Sequence, residues 1–370
     1  MIIGLHAKGL TKFSLPHPCI VDTFAEPMKL SVVISTFNRP RLLGELLAAL
    51  SVQTLPPNEF EVIVIDDGSK EPVAPQLATL RTPYALTVLT QQNSGVAAAR
   101  HKGIEHARHE IIVVTDDDML VPPSFLAEHK KAHLGGHTLV LGHIGEEEAL
   151  GKKPLFERMH ATQLKKFVEH YKNNPEAVRG VHVCTGNVSF RRADYMRVGG
   201  FDRTLGRSED RELGARLEKA GAKLIFSHAA RTTNRSDHTD LDVWMKRNYL
   251  YGVYDSRIAK KHPDVETADP WRFLFLVNPL SRTFLLVSVA SPDAGKVLSR
   301  FTYSLAETID ALARAQPAPT IATRLLERLA NAGATLAYGV EYFRGVREEA
   351  GSFLDATLGF AGYMKKRRAR

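Results

Sequence analysis

Three short apolar runs, each ending in a cluster of polar side chains, constrain this chain more than any other feature. Leu30-Ser31-Val32-Val33-Ile34-Ser35-Thr36 leads into Asn38-Arg39-Pro40, Glu61-Val62-Ile63-Val64-Ile65 leads into Asp66-Asp67-Gly68-Ser69, and residues 110–115 lead into Asp116-Asp117-Asp118. Continuous β-branched runs without polar alternation suit strands covered on both faces. Between the first two, Leu42, Leu43, Leu46, Leu47 and Leu50 recur at helical spacing. A further strand is expected over residues 84–90, and Asn93-Ser94-Gly95 then opens an Ala-rich helix to Ala107. Strands alternating with helices in this way predict a parallel α/β sheet. Such sheets bind ligands beyond the carboxyl ends of their strands, so the fold itself should gather the three polar clusters at one rim.

Beyond residue 120 the alternation loosens. The pattern predicts strands over 139–143, 181–190 and 223–226 and helices over 152–172 and 208–220. From Asp240 the chain reads as mostly helical, with a hinge at residues 315–320. At 370 residues and 44% hydrophobic content it can bury a large core, which excludes wholesale disorder. Its 49 Lys and Arg against 41 Asp and Glu give a charge of +8. That balance favours anionic partners (nucleotides, phosphates, nucleic acid or an acidic membrane) without choosing among them. Two cysteines, Cys19 and Cys184, exclude a disulfide scaffold and suit a reducing compartment. Residues 1–12 lack the apolar run of a secretory signal. The nearest approach to a membrane span, residues 271–290, is broken by Arg272, Asn278, Pro279 and Arg282. The expectation is a cytoplasmic protein whose membrane contact, where it has any, is peripheral.

Each candidate constellation has a plainer structural alternative. Asp116-Asp117-Asp118 places three carboxylates side by side, a repulsion that a hard divalent cation, Mn²⁺ or Mg²⁺, relieves. The alternative is an exposed acidic turn, which the strand-end position makes the weaker reading. Asn93 to Arg100 offers backbone N–H groups at a helix start and a fixed cation to a phosphate, or an ordinary cap before a buried helix. Asp66-Asp67-Gly68-Ser69 can accept hydrogen bonds from a base or ribose, or form a turn. Glu209-Asp210 follows Ser208, so it is either a general base with its neighbour or an acidic first turn behind an N-cap. His129, His133 and His137 recur every four residues; a solvated helix face is preferred over zinc because no fourth ligand is evident. His228 and His238 come late enough to reach the rim as a further metal ligand.

Taken in order, these segments resemble a family 2 glycosyltransferase. The resemblance rests on Ser31 to Arg39, Val64 to Ser69, Asn93-Ser94-Gly95 with Ala99-Arg100, and Thr115 to Asp118. It continues in Thr185-Gly186-Asn187-Val188-Ser189-Phe190, Gly199-Gly200-Phe201-Asp202 and Glu209-Asp210, and covers roughly residues 29–255. It implies a GT-A type fold over 29–255, a mixed, mainly parallel sheet flanked by helices; the pattern of residues itself adds an N-terminal arm over 1–28 and a mostly helical C-terminal extension over 256–370. It also implies roles. Thr36, Phe37 and Arg39 would line the nucleotide, Asp67 would contact the base, and Arg100 would lie near the diphosphate. Asp116 would hold the ribose and Asp118 the metal, with Asp116 close to the ion and Asp117 sharing either task. Thr185, Gly186 and Asn187 would border the sugar. Asp210 would be the base of an inverting displacement, with Glu209 beside it. His238 is the expected third metal ligand, in preference to His228, although Asn234 stands nearest the family's usual place.

The implied activity is metal-dependent transfer of a sugar from a nucleotide-sugar, a UDP-sugar being the expected donor, to a glycan, lipid-linked or small-molecule hydroxyl, as in cell-envelope or polysaccharide synthesis. Nucleic acid is not an expected partner. Two alternatives stand beside it. A metal-dependent nucleotidyltransferase should carry a Gly-rich basic loop after the first strand, where this chain has Thr36-Phe37-Asn38-Arg39-Pro40. A non-catalytic nucleotide-binding module need not keep acids at every position. The C-terminal region adds Ile321, Leu325, Leu326 and Leu329 on one helical face and ends Lys365-Lys366-Arg367-Arg368-Ala369-Arg370. An anionic membrane surface suits that combination, and packing on the catalytic unit is the alternative. Gly333, Gly339, Gly345 and Gly351 fall every six residues and read as weakening a helix without making a single close-packing stripe.

Overall fold

The computed structural model describes residues 28–146, 153–235, 239–265, 268–316 and 320–368. The expected N-terminal arm, with Cys19, and residues 317–319 of the expected hinge lie outside the described residues. The first half runs β1 (Leu30–Thr36), α1 (Pro40–Leu50), β2 (Phe60–Asp66), α2 (Val73–Leu77), β3 (Ala85–Thr90), α3 (Val96–His106), β4 (Ile111–Asp116), β5 (Met119–Leu120), α4 (Phe125–Leu134), β6 (Leu139–Glu146) and α5 (Leu155–Asn173). It continues with β7 (Val188–Arg191), α6 (Arg192–Arg197), α7 (Glu209–Lys219), β8 (Leu224–Asn234) and α8 (Leu241–Lys261). Five further helices follow: α9 (Phe273–Leu276), α10 (Pro279–Ala290), α11 (Pro292–Arg314), α12 (Ile321–Ala350) and α13 (Phe353–Arg368).

The strands form one mixed sheet in the order β3-β2-β1-β4-β7-β6-β8-β5. The four on one side are parallel, whereas β7 runs against both β4 and β6. Alternate side chains of the parallel strands enter opposite cores, as a strand's period of two requires. Val32, Ile34, Val62 and Val64 pack with Leu43, Leu46, Leu47 and Leu50 of α1. Val33, Ile63 and Ile65 pack with Ala97, Ala99 and Ile104 of α3. In register, Thr36 stands opposite Asp66, and Ser35 opposite Asp116. The polar clusters therefore end level with one another at one rim.

Two elements differ from the sequence reading. Only Val188–Arg191 of the expected 181–190 strand is extended; Gly180–His182 form a 3-10 turn instead. Gly180 lies so close to α7 that a Cβ there would meet the Gly214 carbonyl oxygen at 2.1 Å. β8 extends to Asn234, far past the predicted Phe226, because β6 continues to pair with it beyond a register shift at Gly142/His143. That second stretch is Arg-Thr-Thr-Asn, with no apolar signal to reveal it.

The three glycines of α12 form no single stripe, as expected, but each is a packing contact. A Cβ at Gly333 would meet Ala306 of α11 at 2.9 Å, one at Gly339 Leu285 of α10 at 2.8 Å, and one at Gly345 the Tyr249 carbonyl oxygen of α8 at 2.0 Å. Six residues advance a helix by about 240°, so glycines at that period face three directions in turn. The period that rules out one stripe fits three neighbours. At Gly345 the obstruction is backbone, which cannot swing aside. Gly345→Ala is expected to destabilise by about 1–3 kcal/mol, exceeding the gain of up to ~1 kcal/mol in helix propensity. Gly362 in α13 meets nothing within 4 Å, so Gly362→Ala should gain or be neutral. Thermal melts of the two variants check the pair; equal shifts would contradict the close crossing.

Candidate active site

The rim is built on one buried cation. Arg100, in the second turn of α3 and 4% exposed, donates Nη2 to Asp116 Oδ1 (2.5 Å) and Nη1 to Glu209 Oε1 (2.7 Å). Burial opposes its charge, but Asp116 and Glu209 outweigh that cost, and its pKa is raised. One guanidinium thus ties the end of β4 to the start of α7.

The other two acids of the triplet face β1. Asp117 accepts from Thr36 Oγ1 (2.7 Å) and from Arg39 Nη1 (3.3 Å), and Asp118 Oδ2 accepts from Arg39 Nη1 (3.0 Å). Burial raises Asp117, and burial with the charge of Asp116 pushes Asp118 up to about 7. Asp118 Oδ1 is buried with no hydrogen-bond partner among the described residues. An orphaned carboxylate oxygen among like charges fits a hard divalent cation. Among the described residues no group of three His, Cys, Asp or Glu forms a ready-made cage; His238, the expected third ligand, lies outside them. His228 is exposed and stacks on His143 at 4.7 Å.

Phe37 projects at the rim, 46% exposed. Beside it Asn38 takes a left-handed φ of 56°, accepts from Lys70 N (2.8 Å) and donates its own N–H to Ser69 Oγ (2.9 Å), which joins the first two loops. Asp67 receives Gln91 Nε2 (2.8 Å), Ser94 N (2.9 Å) and Gly95 N (2.9 Å), so it shapes the loop entering α3. Gly68 is required there, having a φ of +80° and space for a Cβ only 2.7 Å from Asn93 N.

Asp210 begins α7 with Glu209. Its Oδ1 accepts from Arg211 N (2.8 Å) and its Oδ2 from Thr185 N (3.3 Å). Burial, and then the adjacent Glu209, push it up to about 7 against the pull of Arg100. Gly186 lies next to Asp116, whose Oδ2 would be 3.6 Å from a Cβ there. Asn187 is fully engaged inside the fold: its amide donates to the carbonyls of His143 (3.0 Å) and Ala230 (2.9 Å) and accepts from His129 (2.9 Å).

Several features escaped the sequence. His129 and His133 are buried, not solvated; both rings meet Ser189 Oγ at 2.8 Å, and burial holds them neutral, down to about 3 and about 4. Ser208 does not cap α7 with its side chain. It adopts a left-handed φ of 59° and donates Oγ to Asp255 Oδ1 (2.7 Å). Asp255 Oδ2 also accepts from Arg211 (2.8 Å) and from Tyr342 OH of α12 (2.9 Å). The C-terminal helices therefore hold the backbone turn that presents Asp210. Glu146, at the end of β6, has a buried oxygen without a partner among the described residues. Burial is the main cause that pushes it up to about 7, with Asp118 among the charges that add to it.

Residues 31–200 match the family described as glycosyl transferase family 2. The chain is 30% identical over 226 residues to a validoxylamine A glucosyltransferase of Streptomyces hygroscopicus subsp. limoneus, covering 54% of this chain and 49% of that protein. It thus spans about half the length of the curated relatives it matches first. Its fold is similar to that of the mannosyltransferase PcManGT from Pyrobaculum calidifontis, solved in complex with GDP-Man and Mn²⁺. That likeness has a TM-score of 0.54 at 20% identity, over 84% of this chain and 85% of the other.

Proposed function

We propose, from the match of residues 31–200 to glycosyl transferase family 2 and the similarity of the fold to a solved mannosyltransferase, that this chain transfers a sugar from a nucleotide-sugar to a hydroxyl acceptor, inverting the anomeric carbon. The observation that carries the proposal is Arg100, which joins Asp116 on one side of the rim to Glu209 on the other. In this reading Arg100 supplies a fixed cation between the diphosphate and the acceptor.

In this reading Thr36, Phe37, Arg39 and Asp67 border the nucleotide, and Asp116 and Asp117 the ribose and phosphates. Thr185 and Gly186 line the sugar, while Asn187 braces them. A divalent cation, Mn²⁺ or Mg²⁺, would be held by Asp118 with Asp116 beside it and would neutralise charge on the departing diphosphate. Arg100 stabilises the same developing charge from a site that needs no reorganisation. Asp210 takes the acceptor's proton as its oxygen bonds to the anomeric carbon. The sugar–phosphate bond breaks and the nucleoside diphosphate leaves with the electron pair. Glu209 stays bound to Arg100 and holds the start of α7. A UDP-sugar is the expected donor. The acceptor class is a glycan, lipid-linked or small-molecule hydroxyl of cell-envelope or polysaccharide synthesis, met on the inner face of a membrane by a cytoplasmic, peripheral protein.

A panel of nucleotide sugars, screened with Mn²⁺ for thermal stabilisation and slow donor hydrolysis, tests the proposal. One donor class should stabilise the chain only with the metal; no response to any donor would overturn it. The pH dependence follows from the base. With Asp210 near 7, its ionised form is the minority in acid, so kcat should climb about tenfold per pH unit up to roughly pH 7 and then level. A profile already flat from about pH 5.5 would contradict that assignment.

A further inference from the structure

The C-terminal helices turn large apolar side chains outward. On α11 the inner face carries Gly295, Ser299, Tyr303, Ala306, Asp310 and Ala313, while Val297, Phe301, Leu305 and Leu312 are exposed. Those four recur at spacings that keep them on one side of a helix. The helix is amphipathic with its apolar side toward solvent, the reverse of what a globular core demands. On α10, Leu280, Phe284 and Val287 form a second outward stripe, with Leu280 80% exposed. Leu285 of α10 and Ala306 of α11 both pack on glycines of α12, so the two stripes point away from it. The two helices also meet closely, since a Cβ at Gly295 would touch Ser288 at 2.8 Å.

Basic charge is placed beside this apolar surface. On α13 the exposed Leu354 and Leu358 share a helical face with Ala361, Lys365 and Arg368. Arg367 lies over the Phe275 ring at 3.8 Å, which fixes the basic end of α13 beside Leu276, itself exposed, and near the start of α10. Among the described residues no helix is long and apolar enough to cross a membrane.

We propose that this face of α10, α11 and α13 docks on an anionic bilayer surface, with Leu280, Val297 and Phe301 at the headgroup–acyl boundary and Lys365 to Arg368 on lipid phosphates. An apolar area of this kind marks an interaction site, and apolar stripes with adjoining cations match the two components of an anionic interface. A second copy could cover the stripes but would leave Lys365 to Arg368 without a role, whereas an anionic bilayer meets both features. Docking stands apart from the chemistry. Its consequence, an acceptor presented at the bilayer, rests on the transferase reading.

Flotation of the full chain with vesicles of phosphatidylcholine, alone or mixed with phosphatidylglycerol, tests this. The parent should float with the anionic vesicles and much less with the neutral ones. Val297→Glu with Phe301→Glu, and separately Lys365→Glu with Lys366→Glu, should each cut the bound fraction about tenfold or more. All these positions are exposed, and far-UV circular dichroism matching the parent shows that the fold persists. A parent that stays soluble with anionic vesicles, or two variants that float like the parent, would overturn the proposal. So would a lipid-free dimer that the Val297/Phe301 pair abolishes. No nucleotide-sugar enters the assay, so its failure is distinct from failure of the transferase reading.

Discussion

Asp210→Asn lowers kcat about 10²–10⁴-fold while donor affinity stays within a few-fold of the parent, the range expected for loss of a general base. The amide keeps nearly the same shape and can still accept from Arg211 N, but it cannot take a proton at neutral pH. The long contact with Thr185 N (3.3 Å) is the one bond at risk. Against that small loss, removing charge from a buried carboxyl next to Glu209 relieves repulsion. The fold should therefore be at least as stable at pH 8. Single-turnover transfer measured beside donor titration separates the two effects. Transfer at the parental kcat would move the base to Glu209 or replace inversion with a retaining route.

Asp118→Asn abolishes metal-dependent donor binding yet leaves the free protein more stable in base. The carboxyl rises from an ordinary 3.8 to about 7 through burial and then the charge of Asp116. Between those values the folded state binds more protons than the unfolded one, so stability falls as pH rises through the window. Above about pH 7 the full penalty is present, and the asparagine removes it. At pH 4 the parent carboxyl is mostly protonated in the folded chain, and the two proteins should melt alike. Ligand stabilisation should behave oppositely. A parent at a hundred times its Kd for Mn²⁺ and nucleotide gains about 2.7 kcal/mol, and the variant should lose that gain. Melts at the two pH values, with and without Mn²⁺ and nucleotide, read both signs at once. Metal-induced stabilisation equal to the parent's would remove Asp118 from the metal site.

The sequence made the rim legible because its determinants are local. Continuous runs such as Val32-Val33-Ile34 admit few places other than a doubly covered strand, and parallel strands must end at one edge. What stayed hidden depends on contacts distant in the chain. His129 looks like a polar helix face until Ser189, sixty residues on, supplies its partner. Ser208 resembles a cap until Asp255 claims its hydroxyl. Glu146 ends a strand whose partner, residues 231–234, carries no apolar pattern. The glycines of α12 could be counted from the sequence, but their use depends on three neighbouring helices.

Product identity is the most direct test of the central claim. The full chain, incubated with Mn²⁺ and the donor that stabilises it, should release nucleoside diphosphate and leave the sugar on the acceptor with inverted anomeric configuration, and a chelator should stop the release. Release of pyrophosphate, or diphosphate release at the same rate without a divalent cation, would contradict the account.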